Sequence, residues 1–203
     1  MTSLKHLSWI PAGALASFLA SFVFGDLLPL PVDLYYLMYF SMVGAFLVIY
    51  WKATDLDLRP VLSRRLVPAL VLGVAVGLLM VQNVLARPET ERLSGGLLVW
   101  ALGWRGVAYG AVDGLILHAF PWLVAWRAFD AEKGGFGKRV KAVAGASASI
   151  LLITTVYHIG YADFRSRKIV QPNVGSTIMS IPTLASANPV ASTLSHVFLH
   201  VTA

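Results

Sequence analysis

The chain has 203 residues, 57% of them hydrophobic and only 13% charged, with no cysteine and a formal net charge of +6. So low a charged fraction excludes an ordinary water-soluble domain, where roughly a quarter of residues are charged. In so apolar a chain the excess Lys and Arg belong to loops and anionic headgroups rather than to nucleic acid, and without Cys there is no disulfide, thiolate metal site or cysteine nucleophile.

In chain order, apolar runs long enough to cross a bilayer, which takes about 20 residues, fall at about 8–28, 33–51, 66–86, 97–126, 141–161 and 187–203. The first follows Lys5 and has the outline of a signal peptide. It reads straight on into Asp26 and the Pro29/Pro31 turn with further spans behind it, so a retained first helix is expected. The pattern predicts an all-α, polytopic transmembrane bundle of about six spans in a single domain, 1–203. Residues 1–94 read as an anchoring and packing half, and residues 95–203 as the half that carries polar interior groups. The expected location is a bacterial inner membrane, crossed several times.

Loop charge orients such a bundle, because Lys and Arg are retained on the cytoplasmic side. The 52–65 loop carries Lys52, Arg59, Arg64 and Arg65, and the 127–141 loop carries Arg127, Lys133, Lys138, Arg139 and Lys141, whereas the 26–33 turn has Asp26 and Asp33 and no base. With six spans, both termini fall on the cytoplasmic side. The 162–172 loop dissents with Arg165, Arg167 and Lys168: either charge bias is overruled there or the loop folds back on the bundle. Tyr35, Tyr36, Tyr50, Trp51, Trp100, Trp104, Trp122 and Trp126 lie near span ends, where aromatic residues prefer the headgroup level. The 162–186 stretch, with Pro172, Gly175 and Pro182, reads as a long connection, re-entrant if it enters the membrane, where its backbone would need protein or a wet cavity around it.

Polar residues inside the spans carry the functional signal. Asn188, Ser192, His196 and His200 recur every four residues and so share one face of a helix. Two imidazoles one turn apart can bind one metal ion, as in helical H-x-x-x-H zinc sites; the structural alternative is two neutral histidines hydrogen-bonded between helices. Thr154, His158 and Tyr161 share a face of the fifth run, so His158 is a candidate third nitrogen ligand. Asp113 stands in the middle of the fourth run, where a carboxylate costs a few kcal/mol on insertion scales and calls for a partner, proton or metal. It is the candidate catalytic acid or base; its other roles are a metal ligand, a proton-relay member, a partner of a nearby His or of Arg105, and a protonated structural group hydrogen-bonded between helices. His118, five residues on, falls about 140° round an α-helix from Asp113 and ranks lower. Gly106, Gly110 and Gly114, four apart beside Asp113, read as a close-packing seam. Gln82 and Asn83 read as interhelical hydrogen-bonders, and Gly134–Gly137 as a flexible turn.

The order of an acid on one span, a His on the next, then His-x-x-x-His on a last span resembles the CPBP intramembrane metalloproteases, which include the CAAX-type proteases. That family builds its site on E-E-x-x-x-R, F-x-x-x-H and H-x-x-x-N/D motifs. The resemblance, over about residues 105–203, puts Asp113 at a catalytic acid, His158 at the second-motif His, and His196 at the third-motif His with His200 at its partner position. The E-E-x-x-x-R motif itself is not present: Gly114 stands for the second acid and His118 for the Arg, and Thr154 replaces the Phe before His158. The resemblance implies a divalent, zinc-like metal and hydrolysis of peptide bonds in membrane-protein substrates. A second reading is a non-enzymatic subunit of a larger membrane complex that ligates haem or chlorophyll through its histidines. A third, a transporter or proton channel, lacks the internal repeat and paired broken helices of that class. The expected partners are the lipid bilayer, other membrane subunits or membrane-protein substrates, and no nucleic acid.

Overall fold

The computed structural model describes residues 3–88 and 93–203. Among them every regular element is helical, and five helices are long and apolar enough to cross a membrane. These are α1 (Lys5–Leu27), α2 (Val32–Thr54), α3 (Leu66–Leu85), α4 (Gly95–Ala128) and α5 (Phe136–Ile159). Two shorter helices follow, α6 (Val170–Ser186) and α7 (Val190–Thr202), and a one-turn-and-a-half helix, Leu58–Ser63, lies in the α2–α3 connection. The chain is an integral, multi-pass membrane protein. Its outer faces carry large apolar side chains that water would not tolerate in such number: Leu37, Ile49, Val67, Val71, Leu78, Leu85 and Val99 are all at least half exposed.

Successive helices run in alternating directions. At one end of the bundle, Arg127 donates to the carbonyl of Thr54 at 2.8 Å, Arg64 pairs with Glu132, and Asn188 reaches the carbonyls of Leu62 and Arg64. At the other end Arg165 pairs with Asp26 at 2.8 Å, and Arg105 grips Asp33 through two bonds of 2.8 Å. Arg105 is therefore Asp33's partner rather than Asp113's. The basic 162–172 loop does fold back: Arg165 also donates to the carbonyls of Ile159 and Gly160, so part of its charge is spent on the end of α5.

The stretch expected as a connection, 162–186, is helical from Val170 to Ser186. Pro172 falls in the first turn of α6, where backbone N–H groups have no intrahelical acceptor anyway, and Pro182 is accommodated inside the helix. The sixth expected span begins only at Val190, because Asn188 and Pro189 belong to the turn. The extra helix changes the parity. Trp9 packs against Tyr50 near the end of α2, while Val201 lies against Gly106 near the start of α4. The two termini of the described chain thus stand at opposite ends of the bundle, where a six-span count had put them together.

Aromatic placement differs as well. Trp51 and Trp100 are about half exposed at helix ends, but Tyr35, Tyr50, Trp122 and Trp126 are buried in the protein interior. Tyr50 packs edge-on against Trp9 and Phe120, and Trp122 stacks on Trp126, so their role is interior packing rather than headgroup anchoring.

Candidate metal centre

Helix α7 is wedged between α3 and α4 along two tracks of glycine. A Cβ at Gly110 would come within 2.8 Å of the Val197 Cα, and one at Gly114 within 2.7 Å of the Thr193 Cα. From the other side, Gly73 would meet the Ala191 carbonyl at 2.6 Å and Gly77 the Phe198 ring at 2.7 Å. Ser195 fastens the wedge, donating to the Gly73 carbonyl at 3.0 Å. The seam read from Gly106, Gly110 and Gly114 is real, and its effect is to press the His196/His200 face of α7 onto Asp113.

Asp113, His196 and His200 come together, with one ligand atom of each lying within 4.8 Å of the others. The Asp113 Oδ2 is 3.4 Å from His196 Nδ1 and 3.4 Å from His200 Nε2. Two ligand atoms each about 2.0–2.1 Å from a tetrahedral ion stand roughly 3.4 Å apart, so the spacing is that of ligands around a shared ion. Asp113 and His196 are buried, and His200 is partly exposed. Neither ring nitrogen of His196 has a hydrogen-bond partner; its contact with Asp113 has the distance of an ion pair without the direction of a hydrogen bond. Two unpartnered polar atoms on one buried ring are costly unless something is bound there. The other carboxylate oxygen is held, since Tyr39 donates to Asp113 Oδ1 at 2.9 Å.

His158 lies on the facing wall of the same cavity, outside this group of three. Its Nδ1 is 2.8 Å from the Thr154 carbonyl, which can only accept, so Nδ1 carries the proton and Nε2 the lone pair. The cavity has a volume of about 890 Å³ and is bounded by α3, α4, α5, α6 and α7. Apolar residues such as Met80, Leu117, Met179 and Leu199 alternate there with Asp113, His158, His196 and His200, and Arg87 and Gln171 stand toward the end that holds Asp26 and Arg165. Asn83 lines the same cavity and accepts from Arg87, just past the end of α3, at 3.0 Å, a local bond rather than an interhelical one. Asp163 is exposed, near Lys168, as a solvated loop residue.

No family model, curated protein or solved structure matches this chain. Two imidazoles and one carboxylate at this spacing are a donor set that could hold a divalent metal ion, with room left in the cavity beside it.

Two groups escaped the sequence pattern. The first is a cluster of tyrosines: Tyr157 shares hydrogen bonds with Tyr35 at 2.9 Å, Tyr109 at 2.8 Å and Tyr161 at 3.0 Å, and Tyr35 bonds to Tyr161. Tyr109 also meets His200 edge-on at 4.6 Å. The cluster braces one side of the site, and its signal was available in the i, i+4 spacing of Tyr35 with Tyr39, Tyr109 with Asp113, and Tyr157 with Tyr161. The second is His118. Residues Leu115–Ala119 of α4 form a π-helical turn, which has more residues per turn than an α-helix and so brings positions five apart closer together round the axis. His118 consequently shares the site side of α4 with Asp113, its ring 4.5 Å from that of His196.

Proposed function

We propose that the protein is a metal-dependent intramembrane hydrolase, related in chemistry to the CPBP proteases that its second half resembles. The observation that carries the reading is the convergence of Asp113, His196 and His200 at ligand-to-ligand spacing on the wall of a cavity among apolar helices. Asp113 then serves as a ligand, with Tyr39 holding its second oxygen, rather than as the free acid or base. His158, with its Nδ1–H committed to a carbonyl, offers an Nε2 lone pair toward the cavity chemistry and is the proton acceptor of the proposal. A divalent ion in such a site polarises a carbonyl and makes bound water a nucleophile near neutral pH. The apolar cavity walls suit a substrate segment that arrives from the bilayer, and the excess of Lys and Arg in the 52–65 and 127–141 loops supports a cytoplasmic placing of that end.

A haem or chlorophyll reading finds less support. Axial ligation of one macrocycle would pair His158 with His196 or His200 across the cavity, but His196 and His200 both stand at ligand spacing from the Asp113 carboxylate, a donor set that suits a small divalent ion better than a macrocycle.

The test is elemental analysis and visible absorbance of the purified full chain in detergent, followed by incubation with a transmembrane peptide, with and without chelator. Stoichiometric zinc or iron, lost in His200→Ala, and cleavage abolished by chelator support the reading. A metal-free preparation, or one with a porphyrin spectrum, overturns it.

A further inference from the structure

We infer that His118 positions His196, by accepting the N–H of the ring nitrogen that faces away from the metal; this rests on the metal-centre reading of Asp113, His196 and His200. Metal-bound imidazoles almost always donate their second N–H to a fixed acceptor, which sets the tautomer and the ring plane. For His196 the nitrogen at ligand spacing is Nδ1, 3.4 Å from Asp113 Oδ2. That leaves Nε2 as the N–H, and it is buried without a partner.

Against it lies His118, whose ring is fully buried, with its centroid 4.5 Å from that of His196. His118 Nε2 is 3.1 Å from the Ser176 carbonyl. The carbonyl can only accept, and the Ser176 hydroxyl at the same 3.1 Å can accept as well as donate, so a proton on Nε2 suits both neighbours and leaves Nδ1 with a lone pair; this is the inferred tautomer. That Nδ1 has no partner either. A buried donor and a buried acceptor on touching rings are each costly alone and satisfy each other when paired. The N–H···N bond inferred between them would complete the series from the Ser176 carbonyl through His118 and His196 to the ion.

The surrounding structure holds His118 in this orientation. Ser176 Oγ, itself 3.1 Å from His118 Nε2, is bonded to Thr154 Oγ1 at 2.8 Å, so α4, α5 and α6 all bear on the ring. The π-helical turn Leu115–Ala119 delivers it, as such turns frequently do at functional sites.

The test is cobalt(II) titration of the full-length chain in detergent, with zinc competition, for wild type, His118→Ala, His118→Gln and His200→Ala. In His118→Ala, affinity is expected to fall about 10–100-fold and the visible cobalt spectrum to change, with one ion still bound at saturation. His118→Gln, whose amide oxygen can accept, restores most of the affinity. Nitrogen-15 NMR of the histidine-labelled wild type with zinc, which depends on no variant folding, is expected to show His196 protonated at Nε2. Unchanged affinity and spectrum in His118→Ala, loss of binding as complete as in His200→Ala, or a proton on His196 Nδ1 would each overturn the inference. Metal binding by wild type without a response at His118 sinks this inference alone, whereas a wild type that binds neither ion sinks the metal centre as well.

Discussion

Tyr39 donates its phenolic proton to Asp113 Oδ1 at 2.9 Å, although 74 residues separate the two in the chain. Tyr39 is fully buried, so the bond is sheltered from water, and it leaves Oδ2 as the oxygen that faces both histidines. The half of the chain that reads as anchoring therefore supplies an outer partner to the carboxylate. Tyr39→Phe removes the hydroxyl and little volume. Metal affinity is expected to drop about 10–100-fold, the usual cost of losing an outer-shell partner, while the melting temperature in detergent changes little. Competition titration against a zinc indicator measures the first, and a thermal melt followed by circular dichroism the second; equal affinity in the two proteins would remove Tyr39 from the site.

The glycine seam makes a contrasting pair. An added methyl at Gly114 meets the Thr193 backbone at 2.7 Å and the His196 Cβ at 3.2 Å, whereas one at Gly103 meets nothing within 4 Å. Overpacking of this kind costs about 1–3 kcal/mol, and here relief requires α7 to back away from α4 and carry His196 with it. Gly114→Ala is expected to lower both thermal stability and metal affinity, and Gly103→Ala neither. Parallel melts and zinc titrations of the two variants check this; a Gly114→Ala protein with wild-type values of both would mean that α7 is not seated as described.

The two histidines of α7 and the acid of α4 were legible because a period of four on an apolar helix leaves few residues to choose from, and a mid-span carboxylate is costly wherever it sits. Their convergence was not legible, since it depends on Gly73, Gly77, Gly110 and Gly114 admitting α7 between two helices. His118 was set aside for a definite reason: a position 140° away on an α-helix is not 140° away on a π-helical turn, and nothing in Leu-Ile-Leu-His-Ala announces that turn. Helix α6 was hidden by Pro172, Gly175 and Pro182 and by its Ser and Thr content, which satisfies neighbours in the interior, as Ser176 does for Thr154 and His118. Tyr35 and Tyr50 read as headgroup-level residues because such a tyrosine and an interior one near the end of a span look alike in sequence; the hydrogen bond of Tyr35 to Tyr157 and the packing of Tyr50 on Trp9 and Phe120 separate them.

The parity of the bundle gives a topological prediction. Because α6 runs the length of the bundle between the 162–172 loop and the Asn188 turn, the N-terminal helix and Thr202 lie at opposite ends. Fusion of a reporter that is active only outside the cytoplasm after Ala203 is expected to give signal, and fusion ahead of Met1 is expected to give none, if the basic 52–65 and 127–141 loops are cytoplasmic. Equal signals from the two fusions would restore an even number of crossings and require α6 to turn back within the membrane.

Asn188 shows how the turn before α7 is tied to a distant part of the chain. Its amide nitrogen donates to the carbonyls of Leu62 and Arg64, and its Oδ1 accepts from the Val190 N–H at 2.9 Å, capping the first turn of α7. Its own carbonyl takes the Thr183 hydroxyl at 3.0 Å, which joins the end of α6 to the same knot. Removal of the side chain strips partners from two carbonyls and one N–H in an interior where Asn188 has no exposure to water, and each buried orphan costs about 1–3 kcal/mol. Asn188→Ala is expected to lower the thermal midpoint markedly and to weaken metal binding in step, because His196 and His200 depend on α7 starting where it does. Asn188→Asp keeps the acceptor for Val190 but sets a carboxylate oxygen against the Leu62 and Arg64 carbonyls in a buried place, so it should melt at or below Asn188→Ala. If Asn188→Asp melts at the wild-type temperature, the tie to the 62–64 carbonyls contributes nothing, and the seating of α7 rests on the glycine tracks alone.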